Sequence, residues 1–207
     1  MLQRLPQPTT MIGNDAVCPR VFSWLGRGRS WPVLVCVILG LCMLAAKGTA
    51  DNSTASEGTR LVAIDAPIRS LFVLPALDGP SQELARLRGQ VVLVHFFATW
   101  CEPCRAEMAS LRELQARFAG RALAIVPVSV AEADGAVRRF FASDRPPFAI
   151  LLDHDRAVAR AWNIHTLPST VVLDPSLRPR FMAEGDVNWM RADVMSMLAQ
   201  LLVAAPG

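Results

Sequence analysis

The fold of this chain is decided by residues 91–107, which read VVLVHFFATWCEPCRAE. The first seven of these residues are apolar except for His95, a run that is typical of a strand buried on both faces. From Glu102 to about Phe118 a helix is indicated by apolar residues at helical spacing: Met108, Leu111, Leu114 and Phe118. The two cysteines therefore stand where a buried strand passes directly into a helix.

The spacing of Cys101 and Cys104 at this junction indicates a redox site. A helix N-terminus has unpaired backbone N–H groups and a partial positive charge, and both stabilise a thiolate. Because the thiolate is the nucleophile in disulfide exchange, Cys101 is expected to be the reactive sulfur. Cys104, one helical turn later, can then attack the mixed disulfide and release the substrate. Pro103 suits the first helical turn, where its missing N–H costs nothing.

Metal or haem binding by the two cysteines is disfavoured by the rest of the sequence. Structural zinc needs about four ligands. After residue 50 the chain has no further cysteine and only three scattered histidines: His95, His154 and His165. Covalent haem attachment requires a histidine after the second cysteine, where Arg105 stands. We therefore expect a redox-active disulfide that uses neither a metal nor a cofactor.

The net charge of +3 is distributed unevenly along the 207 residues. Residues 1–50 carry five basic groups against one acidic group, whereas residues 51–207 carry sixteen arginines against seventeen acidic groups. The larger part of the chain is therefore slightly negative. Such a domain has no basic excess with which to follow a phosphate backbone, so nucleic-acid binding is not expected.

An apolar segment, residues 33–46, separates a basic N-terminus from the rest of the chain. It is short for a spanning helix of about 20 residues and matches a signal-peptide core. Residues 48–50 resemble a cleavage site, whereas the long basic stretch 1–32 favours an uncleaved anchor. Arginines before the segment keep that stretch cytoplasmic and direct the C-terminal residues out of the cytoplasm. We expect a single-pass anchor on the periplasmic side of a bacterial inner membrane, with a cleaved signal as the alternative, and a linker over residues 47–65.

Cysteine usage agrees with an exported redox domain. Three of the five cysteines, Cys18, Cys36 and Cys42, lie before the predicted linker. Only Cys101 and Cys104 would therefore reach the oxidising periplasm. A domain with no other thiol cannot form a further, structural disulfide. This favours a catalytic role for Cys101 and Cys104 over a role in stabilising the fold.

The residues after the linker alternate between strand-like and helix-like patterns. Strands are predicted at residues 71–74, 91–97, 122–130, 148–152, 170–173 and 180–183, and helices at 102–118, 132–143, 155–162 (capped by Asp155) and 188–203. Strand–helix alternation that ends in a hairpin and a final helix predicts a three-layer α/β/α sandwich with a mixed central sheet. This domain is expected to span residues 66–205.

Two stretches of the sequence resemble the TlpA/ResA-like family of thioredoxin-fold proteins. One is residues 91–107 with their WCEPC core, and the other is residues 166–174, which read TLPSTVVLD. The resemblance extends from about Ala66 to the C-terminus. It implies a thioredoxin-like fold and the activity of a membrane-tethered, extracytoplasmic thiol–disulfide oxidoreductase.

The resemblance also implies roles for individual residues. Cys101 would be the attacking cysteine and Cys104 the resolving cysteine of a redox-active disulfide. Pro168 would be a cis-proline that faces the dithiol and, together with Leu167, binds the substrate. Trp100 would pack beside the dithiol and shape access to it.

Two further residues are candidates for proton transfer. The Glu102-Pro103 dipeptide resembles family members that reduce apocytochrome c, and those members also have a glutamate where Glu107 stands. Glu107 would relay protons; the alternative is an acidic residue favoured near a helix start by the macrodipole. His95 stands where the family has Asp or Asn, and is either a proton relay or a hydrogen-bonded core residue. Ala109 replaces a helix-kinking proline of the family, which predicts a straighter helix.

The sequence thus predicts a protein disulfide reductase that acts on exported thiol proteins such as apocytochrome c. The Glu-Pro dipeptide, unlike the His-containing dipeptide of strong oxidants, favours reduction, and a DsbD/CcdA-type membrane protein would supply the electrons. A disulfide oxidase or isomerase is the alternative within the same class. A copper-carrying thiol module is the alternative from another class, because thiolates suit Cu(I); such carriers generally have a wider cysteine spacing, and Met108 lies on the predicted core stripe.

Overall fold

The computed structural model describes residues 58–67 and 70–203. The basic stretch 1–32, the apolar segment 33–46 and most of the predicted linker lie outside these ranges. None of the helices within them has the length and apolar character needed to cross a bilayer. The predictions of an anchor or a signal therefore fall on residues that the structure does not describe.

The described residues form eight strands in two sheets. The strands are β1 (Val62–Ala63), β2 (Val73–Leu74), β3 (Gln82–Glu83), β4 (Val91–Phe97), β5 (Leu123–Val130), β6 (Leu151–Asp153), β7 (Ser169–Leu173) and β8 (Pro179–Glu184). The larger sheet has the order β1-β8-β7-β4-β5-β6, and β2 pairs with β3 alone. Since β4 is parallel to β5 and antiparallel to β7, the prediction of a mixed central sheet is confirmed.

Helices cover both faces of the larger sheet, so β4 is buried along its whole length. They are α1 (Glu102–Arg117), α2 (Asp134–Phe140), α3 (Ala157–Ala161) and α4 (Ala192–Val203). Alternate residues of β4 point to opposite faces. Leu93 and Phe97 pack in the cluster that contains the buried faces of α1 and α4, whereas Val94 and Phe96 pack with α3. The predicted three-layer sandwich is thereby confirmed.

The sheet begins earlier in the chain than we expected. β1 pairs antiparallel with β8, which places it at the edge of the larger sheet. The backbone N–H of Thr59 also donates to the carbonyl of Asp186 at 2.6 Å. The expectation of a linker as far as residue 65 is therefore wrong for its last residues. A strand of two residues is too short for an alternating pattern to reveal it.

The ends of several predicted elements differ from those observed. The helix predicted over 132–143 is shortened to α2, since Glu132 bonds to other parts of the chain. The strand predicted over 148–152 begins only at Leu151, after the Pro146-Pro147 pair. The last helix begins at Ala192 rather than Asn188. By contrast, α1 runs unbroken over 16 residues, with Ala109 in its middle.

Candidate active site

The two cysteines lie at the point where β4 ends and α1 begins. Cys101 is the N-cap residue of α1, and its Sγ accepts the backbone N–H of Cys104 at 3.3 Å. The two sulfurs are joined in a disulfide. Cys101 keeps 6 % of its surface exposed, whereas Cys104 has none. An incoming sulfur therefore reaches Cys101 first, and the helix N-terminus that surrounds it stabilises a thiolate there.

A groove of about 410 Å³ opens beside the residue that precedes Cys101. Its lining is mainly apolar and includes Trp100, Val130, Ile164 and Leu167, with Arg156 and His165 as its basic groups. The Trp100 indole is 73 % exposed. The groove thus brings together Trp100 and Leu167, two of the residues predicted to contact substrate, and its apolar lining suits an apolar side chain of a protein substrate.

The segment that carries Pro168 is fixed by hydrogen bonds on both sides. The Leu167–Pro168 peptide bond is cis, as the resemblance implied. The Pro168 carbonyl accepts the N–H of Gly185 at 2.8 Å, and the Ser169 hydroxyl donates to the carbonyl of Thr166 at 2.9 Å. Because Pro168 is buried while Leu167 is half-buried, the edge of this segment that faces the groove is the Leu167 side chain.

Glu107 lies on the buried face of α1, three residues after Cys104. Its carboxyl is almost completely enclosed, with 3 % of the residue exposed, and its Oε1 accepts the indole N–H of Trp189 at 2.6 Å. Burial raises the pKa of Glu107 to about 8, although the bonds from Trp189 and the Val187 backbone act in the opposite direction. The carboxyl is therefore mainly protonated at neutral pH and titrates close to the range of a thiol.

His95 lies on β4 with no exposed surface. Its Nδ1 is 2.9 Å from Thr170 Oγ1, the residue opposite it on β7, and 3.8 Å from Glu107 Oε1. Burial lowers the pKa of His95 to about 3, so the imidazole is neutral at neutral pH. His95 and Glu107 thus face each other as two uncharged groups and form no ion pair there. Within the described ranges, His95 Nε2 and Glu107 Oε2 have no hydrogen-bond partner.

A second buried acidic residue, Glu132, holds the turn before Cys101. Its carboxylate accepts the Thr99 N–H at 2.9 Å, the Thr99 hydroxyl at 2.5 Å and the Ser129 hydroxyl at 2.7 Å. Ala131, just before it, has a φ of 59°, a left-handed conformation that turns the chain back toward Thr99. The sequence pattern predicts Glu132 at the start of a helix and misses this role. An acidic residue directly after a buried strand is the available signal.

The ligands that a copper carrier would need lie apart from one another. Met108 is packed in the core between α1 and the sheet. His154 Nε2 is 2.7 Å from Asp134 Oδ1 on α2, while His165 lines the groove. Within residues 58–67 and 70–203, no group of three or more His, Cys, Asp or Glu residues is placed to hold a metal ion. The described histidines therefore do not converge on the two sulfurs.

Comparison with known sequences finds one family and several named relatives. Residues 65–178 match the AhpC/TSA family. The chain is 36 % identical over 126 residues to the thiol–disulfide oxidoreductase ResA of Bacillus subtilis, covering 61 % of this chain and 66 % of that protein. It is 34 % identical over 103 residues to ResA of Geobacillus kaustophilus, covering 50 % and 59 % of the two chains. The matched part of the chain thus spans 66 % and 59 % of the length of these two relatives.

Solved structures show the same architecture. A thiol:disulfide interchange protein of the thioredoxin family from Chlorobium tepidum matches with a TM-score of 0.58 and 26 % identity, covering 68 % of this chain and 97 % of the other. A DsbF homologue from Corynebacterium diphtheriae matches with a TM-score of 0.59 at 22 % identity, covering 68 % and 91 %. The chain therefore belongs to the AhpC/TSA family, and the resemblance to TlpA/ResA-like thioredoxin-fold proteins is confirmed.

Proposed function

We propose that this protein is a thiol–disulfide oxidoreductase that works mainly as a protein disulfide reductase. The observation that carries the proposal is the asymmetry of the dithiol: Cys101 keeps some surface open to solvent at a helix N-terminus, whereas Cys104 is fully covered. The similarity to proteins named thiol–disulfide oxidoreductase supports the same reaction class.

The reaction follows from that asymmetry. In the reduced protein the Cys101 thiolate attacks a substrate disulfide, forming an intermolecular disulfide and releasing one substrate thiolate. The Cys104 thiolate then attacks Cys101 Sγ, closes the Cys101–Cys104 disulfide and releases the second substrate thiolate. Two electrons pass from the dithiol to the substrate. The two protons of the dithiol end on the two substrate thiols.

In its carboxylate form, which becomes populated as pH approaches 8, Glu107 is proposed to take the proton from the Cys104 thiol before the second step. Its pKa of about 8 is close to that of a thiol, which suits proton exchange between the two groups. A helix-dipole role accounts less well for this residue, because a carboxyl placed for that purpose would stay charged and in contact with water. His95, which faces the same carboxyl oxygen, is the candidate second member of the relay.

Trp100, Leu167 and Pro168 are proposed to bind the substrate segment next to its disulfide. The groove offers apolar surface at Trp100 and Leu167. Pro168 lies between Leu167, which lines that groove, and β7, which begins at Ser169.

The direction of electron flow is proposed from the Glu102-Pro103 dipeptide and is tested by the reduction potential. A value near thioredoxin's roughly −270 mV supports a reductase, whereas a value near about −120 mV would identify an oxidase instead. Tight Cu(I) binding by the reduced protein, together with failure to reduce insulin, would reverse the assignment in favour of a copper carrier.

The cellular setting is proposed from the sequence. A single-pass anchor at residues 33–46, or a cleaved signal, would place the domain on the periplasmic side of the inner membrane, and mass spectrometry of the mature N-terminus distinguishes the two. Exported thiol proteins such as apocytochrome c are the proposed substrates, with a DsbD/CcdA-type membrane protein as electron donor. Trapping partners in cells with a Cys104→Ser variant tests both assignments, since that variant cannot resolve the intermolecular disulfide.

A further inference from the structure

The loop between β8 and α4, residues 185–191, places one indole against the carboxyl of Glu107. Trp189 has no exposed surface, and its Nε1–H donates to Glu107 Oε1 at 2.6 Å. Within the described part of the chain, no other side chain lies within hydrogen-bond distance of this carboxyl. The contact joins residues that are 82 positions apart in sequence. This loop therefore supplies the one side-chain hydrogen bond that the described residues make to the carboxyl.

The same loop is tied to the backbone on two sides. The Gly185 N–H donates to the carbonyl of Pro168 at 2.8 Å, and the Thr59 N–H donates to the carbonyl of Asp186 at 2.6 Å. Gly185 has a φ of +113°, and a Cβ at this position would collide with the Thr59 side chain. Because only glycine fits this approach, the start of the loop has little freedom to shift. The first two residues of the loop that carries Trp189 are thereby held by the backbone at Pro168 and at Thr59.

Burial and three neighbouring groups set the pKa of the Glu107 carboxyl. Burial is the main influence and raises its pKa to about 8; the Trp189 N–H is the largest opposing influence, followed by the Val187 backbone. The nearby Asp186 carboxylate adds to the raising effect. His95 adds no positive charge at neutral pH, because burial lowers its pKa and keeps it neutral. Trp189 is therefore the main group that makes a carboxylate acceptable at this position.

We propose that Trp189 is a positioning residue, whose indole N–H holds the Glu107 carboxyl in place on α1 and stabilises it each time it becomes a carboxylate. An indole N–H is a donor only, so it favours the carboxylate form and cannot accept the proton itself. Trp189 acts through Glu107. The inference rests on the proposed role of Glu107 in taking the Cys104 proton.

The test compares Trp189→Phe with wild type and with Trp162→Phe in the full chain. Phenylalanine keeps an aromatic ring at position 189 but removes the N–H. Trp162 is a matched control, because its indole N–H also makes one hydrogen bond, to the carbonyl of Ser70 at 3.1 Å, away from Glu107. The pH dependence of kcat/KM for insulin reduction is measured in each. The limb of this pH profile that depends on Glu107 is the rise in kcat/KM as its carboxyl loses a proton. We expect the midpoint of that limb to shift to higher pH by about one unit in Trp189→Phe and to remain unchanged in Trp162→Phe.

A Glu107→Gln variant identifies the limb and separates the two hypotheses. If this variant keeps the wild-type rate and every limb, the proton role of Glu107 fails, and the inference about Trp189 fails with it. If Glu107→Gln removes a limb that Trp189→Phe leaves unmoved, the role of Trp189 alone is refuted.

A nuclear magnetic resonance titration decides the matter even if Trp189→Phe does not fold. The Trp189 indole N–H, identified by its nuclear Overhauser contacts with α1, is followed with pH in the wild-type protein. We expect its shift to follow the midpoint of the Glu107 limb and to become independent of pH in Glu107→Gln. A wild-type indole shift that does not respond to pH would overturn the proposal.

Discussion

The two sides of the dithiol differ in almost every physical property. On the outer side, the exposed Trp100, which directly precedes Cys101, lines an open and mainly apolar groove. On the inner side, the fully covered Cys104 lies three residues before Glu107, which is buried and faces the buried His95. An open surface can adapt to protein substrates of different shape, whereas a closed set of contacts controls a proton. If the proposed roles are correct, one turn of α1 separates substrate recognition from proton transfer.

The largest effect is expected when each of the two cysteines is replaced separately. Cys101→Ser should lower insulin reduction by at least ~10³-fold, because the outer side then lacks its nucleophile. Cys104→Ser should still attack but not resolve, so it should accumulate an intermolecular disulfide that is visible on non-reducing gels. The reverse pattern, with trapping by Cys101→Ser, would exchange the roles of the two sides.

A second large effect is expected on the inner side. Glu107→Gln should lower kcat by about 10²-fold while KM changes little, because proton transfer is lost and the outer groove is untouched. The limb near the pKa of about 8 should disappear from the pH profile. Glu113→Gln, on an exposed position of the same helix nine residues after Cys104, is the control and should behave as wild type. A pure KM effect would place Glu107 with recognition instead.

The inner side should also make stability depend on pH in two opposite ways. The pKa of Glu107 is raised from 4.5 to about 8, so its stabilising contribution is complete below 4.5 and is lost as pH rises through 8. The pKa of His95 is lowered from 6.5 to about 3, so its contribution is complete above 6.5 and is lost as pH falls through 3. Each of these two groups changes the equilibrium constant of unfolding by up to about tenfold per pH unit.

Urea unfolding measured from about pH 3 to pH 9 separates the two slopes. Glu107→Gln should reduce the loss of stability at alkaline pH and leave the loss of stability at acid pH unchanged. His95→Asn should do the reverse. If either variant leaves both slopes unchanged, that group is not held in its neutral form by the fold.

The smallest effect is expected on the outer side. Trp100→Ala should raise KM for a protein disulfide about fivefold, because an exposed aromatic contact is lost. The rate with a small-molecule disulfide, which has no side chain to place in the groove, should remain the same. An equal loss with both substrates would show that Trp100 supports the dithiol itself.

Much of the outer side could be predicted from the sequence, because the residues that form the dithiol and its surroundings are close together in the chain. The run from β4 through Cys101 into α1 lies within residues 91–107, and apolar spacing is enough to indicate a strand followed by a helix. The cis bond at Pro168 came from the resemblance, since nothing in the residues around it requires that isomer. The three-layer arrangement followed from the alternation of elements.

The residues of the inner side could be identified from the sequence, but their contacts could not be predicted from it. Glu107 and His95 stand out in the sequence, but their partners Trp189 and Thr170 lie 82 and 75 positions away. Such contacts depend on which strands pair and how a loop packs, and local periodicity contains neither. For the same reason the sequence predicts Glu132 at the start of a helix, although its bonds go to Thr99.

The two-residue strand β1 affects how the protein behaves in solution. It covers part of the outer edge of β8, placing its residues opposite Phe181 and Met182. A shortened protein that begins at residue 66 would present that edge to solvent, with unpaired N–H and C=O groups beside apolar side chains. Exposed strand edges recruit other strands, so such a protein should self-associate at concentrations where a protein that starts at residue 58 stays monomeric.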